Sequence, residues 1–126
     1  MLTEYRLDIK AETDYAREWW DKRNPLYADF SELGGDCTSF VSQCLYAGGA
    51  VMNFTRDMGW YYRSVNDRAA AWTGVNSFYR FITTNRGIGP FGREIPIEKA
   101  AAGDVIQLCT GKSCYHSLFV IDTRNG

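Results

Sequence analysis

The residue best placed for covalent chemistry is Cys37, which opens a predicted helix. Gly35 and Asp36 precede it, and Gly48-Gly49 supplies the kind of residues at which helices end. Asp36 is a good N-cap residue, because its carboxylate can accept hydrogen bonds from N–H groups of the first turn. The positive end of the helix dipole favours a thiolate over a thiol, and the two glycines just upstream, Gly34 and Gly35, leave room for an approaching backbone. This segment therefore predicts a cysteine nucleophile.

A cysteine nucleophile needs a proton acceptor, and the sequence contains one histidine, His116. We therefore expect the fold to bring His116 alongside Cys37. Without Cys37, a satisfied core histidine would be the more common interpretation of His116, and it stays open. Cys114 precedes His116 by two positions in the same predicted strand. It is a second candidate nucleophile, but no helix terminus would stabilise its thiolate.

The spacing of the other cysteines argues against a metal site. The chain has four cysteines and no Cys-x-x-Cys pair, so neither structural zinc nor a thiol redox protein is favoured. Cys44 shares the buried face of the Cys37 helix and is expected to be inert. Cys109 and Cys114 flank a predicted turn, and a disulfide between them stays open if the chain is exported. We expect no metal and no cofactor.

Composition predicts one globular domain over residues 1–126, with 45% apolar and 23% charged residues. The net charge of −1 gives no attraction to nucleic acid or to an anionic membrane. No apolar run approaches the roughly 18 residues that a transmembrane helix needs. The first residues lack a secretion signal, so a cytoplasmic location and a domain of a longer exported chain both stay open.

The elements that must position these residues are helices followed by a hairpin. Apolar periodicity predicts a first helix over Leu7–Lys22, whose apolar face includes Trp19 and Trp20, and a later helix over Gly74–Thr84. Residues 50–72 are rich in aromatic side chains and predict a long ordered loop. Two strands follow, Asp104–Cys109 and Cys114–Asp122, and the second is apolar on both faces past Ser117, typical of a strand covered on both sides. The fold class is therefore α+β.

At this point the chain resembles a known family. The stretch from Gly35 to Gln43 is similar to the Gly-Asp-Cys-Thr-Asn-Phe-Val-Ser-Gln signature of the putative amidase domain family of Gram-positive bacteria. Further matches follow in order along most of the chain, and together they are specific: Tyr15, Ala16 and Trp19; Arg23-Asn24-Pro25; Gly59-Trp60-Tyr61-Tyr62; Trp72-Thr73-Gly74-Val75; Gly103 to Leu108; and Tyr115-His116-Ser117-Leu118.

The family is similar to the NlpC-type cell-wall peptidases, so the resemblance implies a papain-like fold with N-terminal helices packed on a short antiparallel sheet. It also implies Cys37 as nucleophile, His116 as its partner and an amide bond of peptidoglycan, or of a peptide, as substrate. An oxyanion would be bound at the helix N-terminus formed by Asp36 and Cys37. We expect Gly35 and four aromatic side chains to line the substrate groove: Trp60, Tyr61, Tyr62 and Trp72. The location implied is extracellular or at the cell wall.

This sequence departs from the family pattern in two ways. Ser39 stands where the family usually has Asn, which we expect to be a tolerated change on the exposed side of the helix. Family members also continue past the His116 strand, whereas this sequence ends at Gly126. The expectation is a domain that lacks its last strands, so that Asp122 and Asn125 are the candidates for a third catalytic group by proximity in sequence. An exposed sheet edge would then favour self-association.

A function of a different class stays open. The missing third catalytic group is compatible with a non-catalytic module that binds cell wall or protein on the same scaffold. The presence of both Cys37 and His116 argues for the hydrolase.

Overall fold

The structure is a computed structural model that describes residues 2–31 and 35–123. Within these residues helices and short antiparallel hairpins alternate, which confirms the α+β class. The elements are α1 (Ile9–Trp19), α2 (Cys37–Ala47), β1 (Tyr62–Ser64), β2 (Asp67–Arg68), α3 (Ala70–Thr73), α4 (Val75–Thr84), a 3-10 turn (Ile97–Lys99), β3 (Val105–Thr110) and β4 (Ser113–Phe119).

Helix α1 is shorter at both ends than its periodicity predicts. It begins at Ile9 because Asp8 is its N-cap, whose carboxylate accepts from the Ala11 N–H at 3.0 Å. It ends at Trp19, and the Trp20 side chain is 70% exposed. The predicted burial of Trp20 is therefore wrong, since the apolar stripe of α1 does not extend to that position.

Helix α2 lies at the centre of the fold and begins and ends where predicted. Its last turn forms a Schellman motif, in which the Ala50 N–H donates to Leu45 O and the Gly49 N–H to Tyr46 O. Gly49 takes the left-handed backbone that this motif requires, with φ of 100°. Val41 and Leu45 join the main core cluster, so α2 is held along its length and its first turn is fixed in space.

The sequence predicts a long ordered loop over residues 50–72, but this segment has secondary structure of its own. It contains the β1–β2 hairpin, most of α3 and a bridge between Asn53 and Trp60. The indoles of Trp60 and Trp72 pack 4.7 Å apart against α2, and the Trp60 Nε1–H donates to Ser42 Oγ at 3.0 Å. Aromatic content here therefore builds the core rather than an open loop.

Helix α4 and the β3–β4 hairpin form the far side of the domain, close to their predicted bounds. Strand β3 pairs antiparallel with β4, with Gln107 opposite Ser117 and Leu108 opposite His116. The Asn76 side chain binds both backbone groups of Cys114 and so ties the hairpin to the start of α4. Leu118 is 40% exposed, so the predicted covering of this strand on both faces is wrong.

Candidate active site

The first turn of α2 meets β4 through a buried hydrogen bond. Thr38 Oγ1 and Ser117 Oγ lie 3.0 Å apart, and both residues are almost fully buried. Each is the chain neighbour of a predicted catalytic residue, Thr38 of Cys37 and Ser117 of His116. The fold therefore brings the two predicted segments together at one point, although they are far apart in sequence.

Gln107 extends this contact into β3. Its Nε2–H group donates to Ser117 Oγ at 3.2 Å and to Val75 O at 2.9 Å. A continuous polar chain thus runs from Thr38 through Ser117 and Gln107 to the start of α4. Because buried hydroxyl and amide groups are costly when unpaired, this chain fixes how α2 docks on the hairpin.

The structure places His116 beside this contact but not in it. His116 is half-buried on β4, and its chain neighbour Ser117 faces α2. Since successive side chains of a strand alternate between its faces, the imidazole leaves β4 on the opposite side from Ser117. In the described part of the chain no hydrogen bond joins the His116 ring to the Cys37 sulfur, whose hydrogen-bonding contact is Thr38 Oγ1 at 3.8 Å. The thiol–imidazole pair stays a prediction.

Asp36 occupies the N-cap position of α2 but does not cap it. Its side chain makes no hydrogen bond to the first turn, which corrects the expected role of this carboxylate. Instead Oδ2 accepts from Arg23 Nη2 at 2.8 Å and Oδ1 from the Phe30 N–H at 2.7 Å. The hydrogen bond to Asp36 raises the pKa of the Arg23 guanidinium, which therefore stays charged.

A second polar chain braces the same turn from α1. Gln43 Nε2 donates to Ser39 Oγ at 3.1 Å, and Gln43 Oε1 accepts from the Tyr15 hydroxyl. The Tyr15 oxygen in turn accepts from Asn24 Nδ2 at 3.0 Å, and burial raises the pKa of the phenol. Ser39 is buried within this chain, so its expected place on an exposed face of the helix is wrong.

The residues expected to line a substrate groove divide into two groups. Trp60 and Trp72 are 0% exposed and belong to the core, which removes both indoles from a groove open to solvent. Tyr62 is half-buried, and its hydroxyl accepts from the Ala28 N–H at 2.9 Å. Tyr61 is also half-buried and packs on Phe54 with ring centroids 5.2 Å apart.

Gly35 lies directly before the first turn of α2 and has a left-handed backbone, with φ of 96°. Only glycine adopts this conformation without strain, so the residue is needed for the approach of the chain to Cys37. Gly34 lies outside the described residues. A role for Gly35, Tyr61 and Tyr62 in contacting substrate stays a prediction.

The remaining cysteines are not available as nucleophiles. Cys109 and Cys114 form a disulfide across the β3–β4 turn, which removes Cys114 as the second candidate. Cys44 is fully buried, and burial raises the pKa of its thiol. In residues 2–31 and 35–123 no group of three acidic, histidine or cysteine side chains is placed to hold a metal ion. Among the same residues, none of the helices has the length and apolar character to cross a bilayer.

Reasoning from the sequence missed the polar partners of the predicted pair. Thr38, Ser117, Gln107 and Arg23 all lie inside the quoted family motifs, yet none was assigned a role. A usable signal was present for Ser117 and Gln107, because a polar residue inside an apolar strand needs a buried partner. Arg23 carried no such signal, since its contact with Asp36 depends on the path of the intervening loop.

Comparison with known proteins identifies the family of this chain. The family described as "Putative amidase domain" matches residues 6–125, which include α1, α2 and the hairpin. An uncharacterized protein of Bacillus subtilis (strain 168), YhbB, is 34% identical over 104 residues, covering 81% of this chain. The chain spans about a third of that relative's length, 32%. No solved structure matches. With nearly its whole length matched, the chain belongs to the putative amidase domain family, whose name indicates amide hydrolysis.

Proposed function

We propose that this domain is a cysteine amidase that hydrolyses an amide bond of peptidoglycan, with Cys37 as nucleophile and His116 as the proton carrier. The observation that carries the proposal is the 3.0 Å contact between Thr38 and Ser117. It brings the start of α2 against the strand that holds His116, in a chain of an amidase family. The resemblance to NlpC-type peptidases supports a papain-like arrangement and a cell-wall substrate.

In this mechanism His116 takes the proton of the Cys37 thiol, the resulting thiolate attacks the carbonyl carbon of the amide, and the carbonyl oxygen becomes an oxyanion. The N–H groups at the start of α2 point away from the helix and stabilise that charge. His116 then gives its proton to the leaving nitrogen, the C–N bond breaks, and an amine departs with a thioester left on Cys37. Water, deprotonated by His116, hydrolyses the thioester and restores the thiol.

Catalysis requires the imidazole to reach the sulfur, and among residues 2–31 and 35–123 no hydrogen bond joins the two groups. Because the imidazole leaves β4 on the face opposite Ser117, a shift of β4 relative to α2 on substrate binding, and not a side-chain rotation alone, would have to supply the contact. Asp122 follows β4 and keeps its place as a candidate to orient the ring, while Asn125 lies outside the described residues. The third catalytic group stays a prediction.

The proposed location is the cell wall or the extracellular space, as part of a longer chain. The disulfide between Cys109 and Cys114 supports this location, because such bonds persist in oxidising compartments. Each described sheet has two strands, so β3 and β4 both present an outer edge. We expect self-association through such an edge to be visible as concentration-dependent elution in size-exclusion chromatography.

The test is release of amino groups from purified peptidoglycan. Wild type is expected to release them with no rise in reducing sugar ends, and Cys37→Ala to lower the rate by at least about a thousandfold. Cys44→Ala is the matched control, because it removes a thiol from the same helix and should keep the rate within about threefold. Equal release by wild type and Cys37→Ala would exclude the cysteine mechanism.

The absence of a Cys37–His116 hydrogen bond among the described residues also favours a second candidate, a wall-binding module without turnover. Such a binding module would co-sediment with peptidoglycan and release no amino groups. Binding would then be unaffected by Cys37→Ala, since a binding module does not need the thiol. Measuring co-sedimentation and amino-group release on the same samples separates the two functions.

A further inference from the structure

Arg23 and Asp36 form an ion pair directly beside Cys37 that the mechanism above does not use. Two guanidinium nitrogens of Arg23 reach the two carboxylate oxygens of Asp36, Nη2 to Oδ2 at 2.8 Å and Nη1 to Oδ1 at 3.3 Å. Arg23 Nη2 also lies 3.1 Å from Asp29 Oδ1. This two-pronged geometry fixes the direction of the Asp36 carboxylate more firmly than a single contact would.

The direction is unusual for an aspartate at this position. An N-cap aspartate normally has extended backbone angles and accepts from the N–H groups of the first turn. Asp36 has φ of −102° and ψ of −3° and makes no such bond. Its carboxylate is satisfied by Arg23 and by the Phe30 N–H, both of which lie outside the helix.

Capping by Asp36 would oppose the proposed chemistry in two ways. It would occupy the N–H groups that the oxyanion needs, and it would put a negative charge next to the thiolate. Arg23 prevents both, since it neutralises the carboxylate and holds it aside. Resting on the proposed function, we infer that Arg23 is a positioning residue, which keeps the first turn of α2 open for the thiolate and oxyanion by binding Asp36.

The test measures alkylation of Cys37 by iodoacetamide, which needs no amide substrate. All proteins carry Cys44→Ala and are kept without reductant, so that Cys37 is the thiol outside the disulfide. R23Q is expected to lower the alkylation rate at neutral pH about tenfold, the effect of an unpaired carboxylate within a turn of the sulfur. R23Q with D36N is expected to return to within twofold of the starting protein.

Two further variants separate charge from structure. K22Q removes a cation from the adjacent position, where Lys22 pairs with Glu18 at 3.1 Å and not with Asp36. It should leave the rate unchanged. R23K keeps the charge but loses the two-pronged contact, so it should fall between wild type and R23Q. Circular dichroism confirms that each variant is folded.

Arg23 is not a positioning residue of this kind if R23Q alkylates as fast as the starting protein, or if D36N fails to restore the R23Q rate. If R23Q does not fold, D36N alone decides, because it should react at least as fast as the starting protein. A rate more than threefold lower in D36N would overturn the inference. Loss of amidase activity in the peptidoglycan assay is a separate result, since alkylation reports on the thiol whether or not an amide is cut.

Discussion

Cys37 and Cys44 are identical residues on one helix, yet they occupy opposite environments. Cys37 is half-buried at the first turn of α2, with Gly35 two positions before it and the hydroxyl of Thr38 beside it. Cys44 lies further along the helix and is 0% exposed, and burial raises the pKa of its thiol. Residue type and helix face are therefore not enough to identify a nucleophile, and position along the helix decides between them.

The two ends of α2 also differ, in whether their buried polar groups have hydrogen-bonding partners. At its start, polar side chains are paired in chains that run from Thr38 to Gln107 and from Ser39 to Asn24. Near its end, the Glu12 carboxyl lies fully buried against Gly48, and neither oxygen meets a hydrogen-bonding group of the described residues. At one end the buried polar groups are thus paired, whereas at the other the burial of an unpaired carboxyl raises the pKa of Glu12.

Alkylation provides the largest expected contrast between the two thiols. We expect iodoacetamide to label Cys37 in the folded protein at least about a thousandfold faster than Cys44, because Cys44 reacts only when the helix opens. Peptide mass mapping after timed labelling measures both rates in one sample. In denaturant the two rates should converge, and similar rates in the folded protein would remove the contrast.

Glu12 predicts a stability change with pH at the other end of α2. Burial, and next the nearby charges of Asp8 and Asp104, raise its pKa to about 8. Because the folded protein binds this proton more tightly than the unfolded chain, the contribution of Glu12 to the free energy of unfolding is largest below about pH 4.5. It then falls as pH rises to about 8, by about 5 kcal/mol in total, and stays level above that.

Urea unfolding of wild type and Glu12→Gln from pH 5 to 9 measures this change. Glutamine has nearly the same shape and does not titrate, so the difference between the two proteins should carry the whole pH dependence of Glu12. The other titrating groups cancel in the difference. A difference that is flat across this range would show that the carboxyl is not held neutral.

The sequence predicted those parts of the fold whose signals are local. The bounds of α2 followed from Gly49, and α4 followed from its apolar periodicity, since neither depends on distant contacts. The β1–β2 hairpin was missed because its strands have three and two residues, too few for a period-2 pattern. The prediction that Trp20 is buried is wrong because apolar periodicity does not show that α1 ends at Trp19.

For the candidate site, the sequence predicted the chemistry but not the contacts. Cys37 and His116 were named from residue type and motif, and the structure brings their neighbours Thr38 and Ser117 together. Asp36 was read as a cap because that is the local preference of aspartate, whereas Arg23 competes for the same carboxylate. Such competition between a local and a distant partner is not visible in a single sequence.

A substitution at Gly48 measures how closely the C-terminal end of α2 packs against Glu12 and Asp8. A Cβ at this position would lie 2.3 Å from Glu12 Cγ and 3.1 Å from Asp8 O, so Gly48→Ala should cost about 2 kcal/mol of unfolding free energy. Glu12→Ala should reduce that cost, because it removes the nearest atoms. Gly49→Ala is the control: its cost comes from the left-handed backbone, with no atom within 4 Å, and should not depend on Glu12.

The Thr38–Ser117 contact gives the smallest expected effect and tests the opposite end of the helix. Ser117→Ala leaves the Thr38 hydroxyl and one Gln107 donor bond unpaired, so it should cost about 1 to 2 kcal/mol of unfolding free energy. Thr38→Val should cost a similar amount, and the double variant less than the sum, with a coupling of about 1 kcal/mol from urea unfolding. Additive costs would mean that this hydrogen bond does not hold α2 on the hairpin, and the proposed pairing of Cys37 with His116 would then lose its structural support.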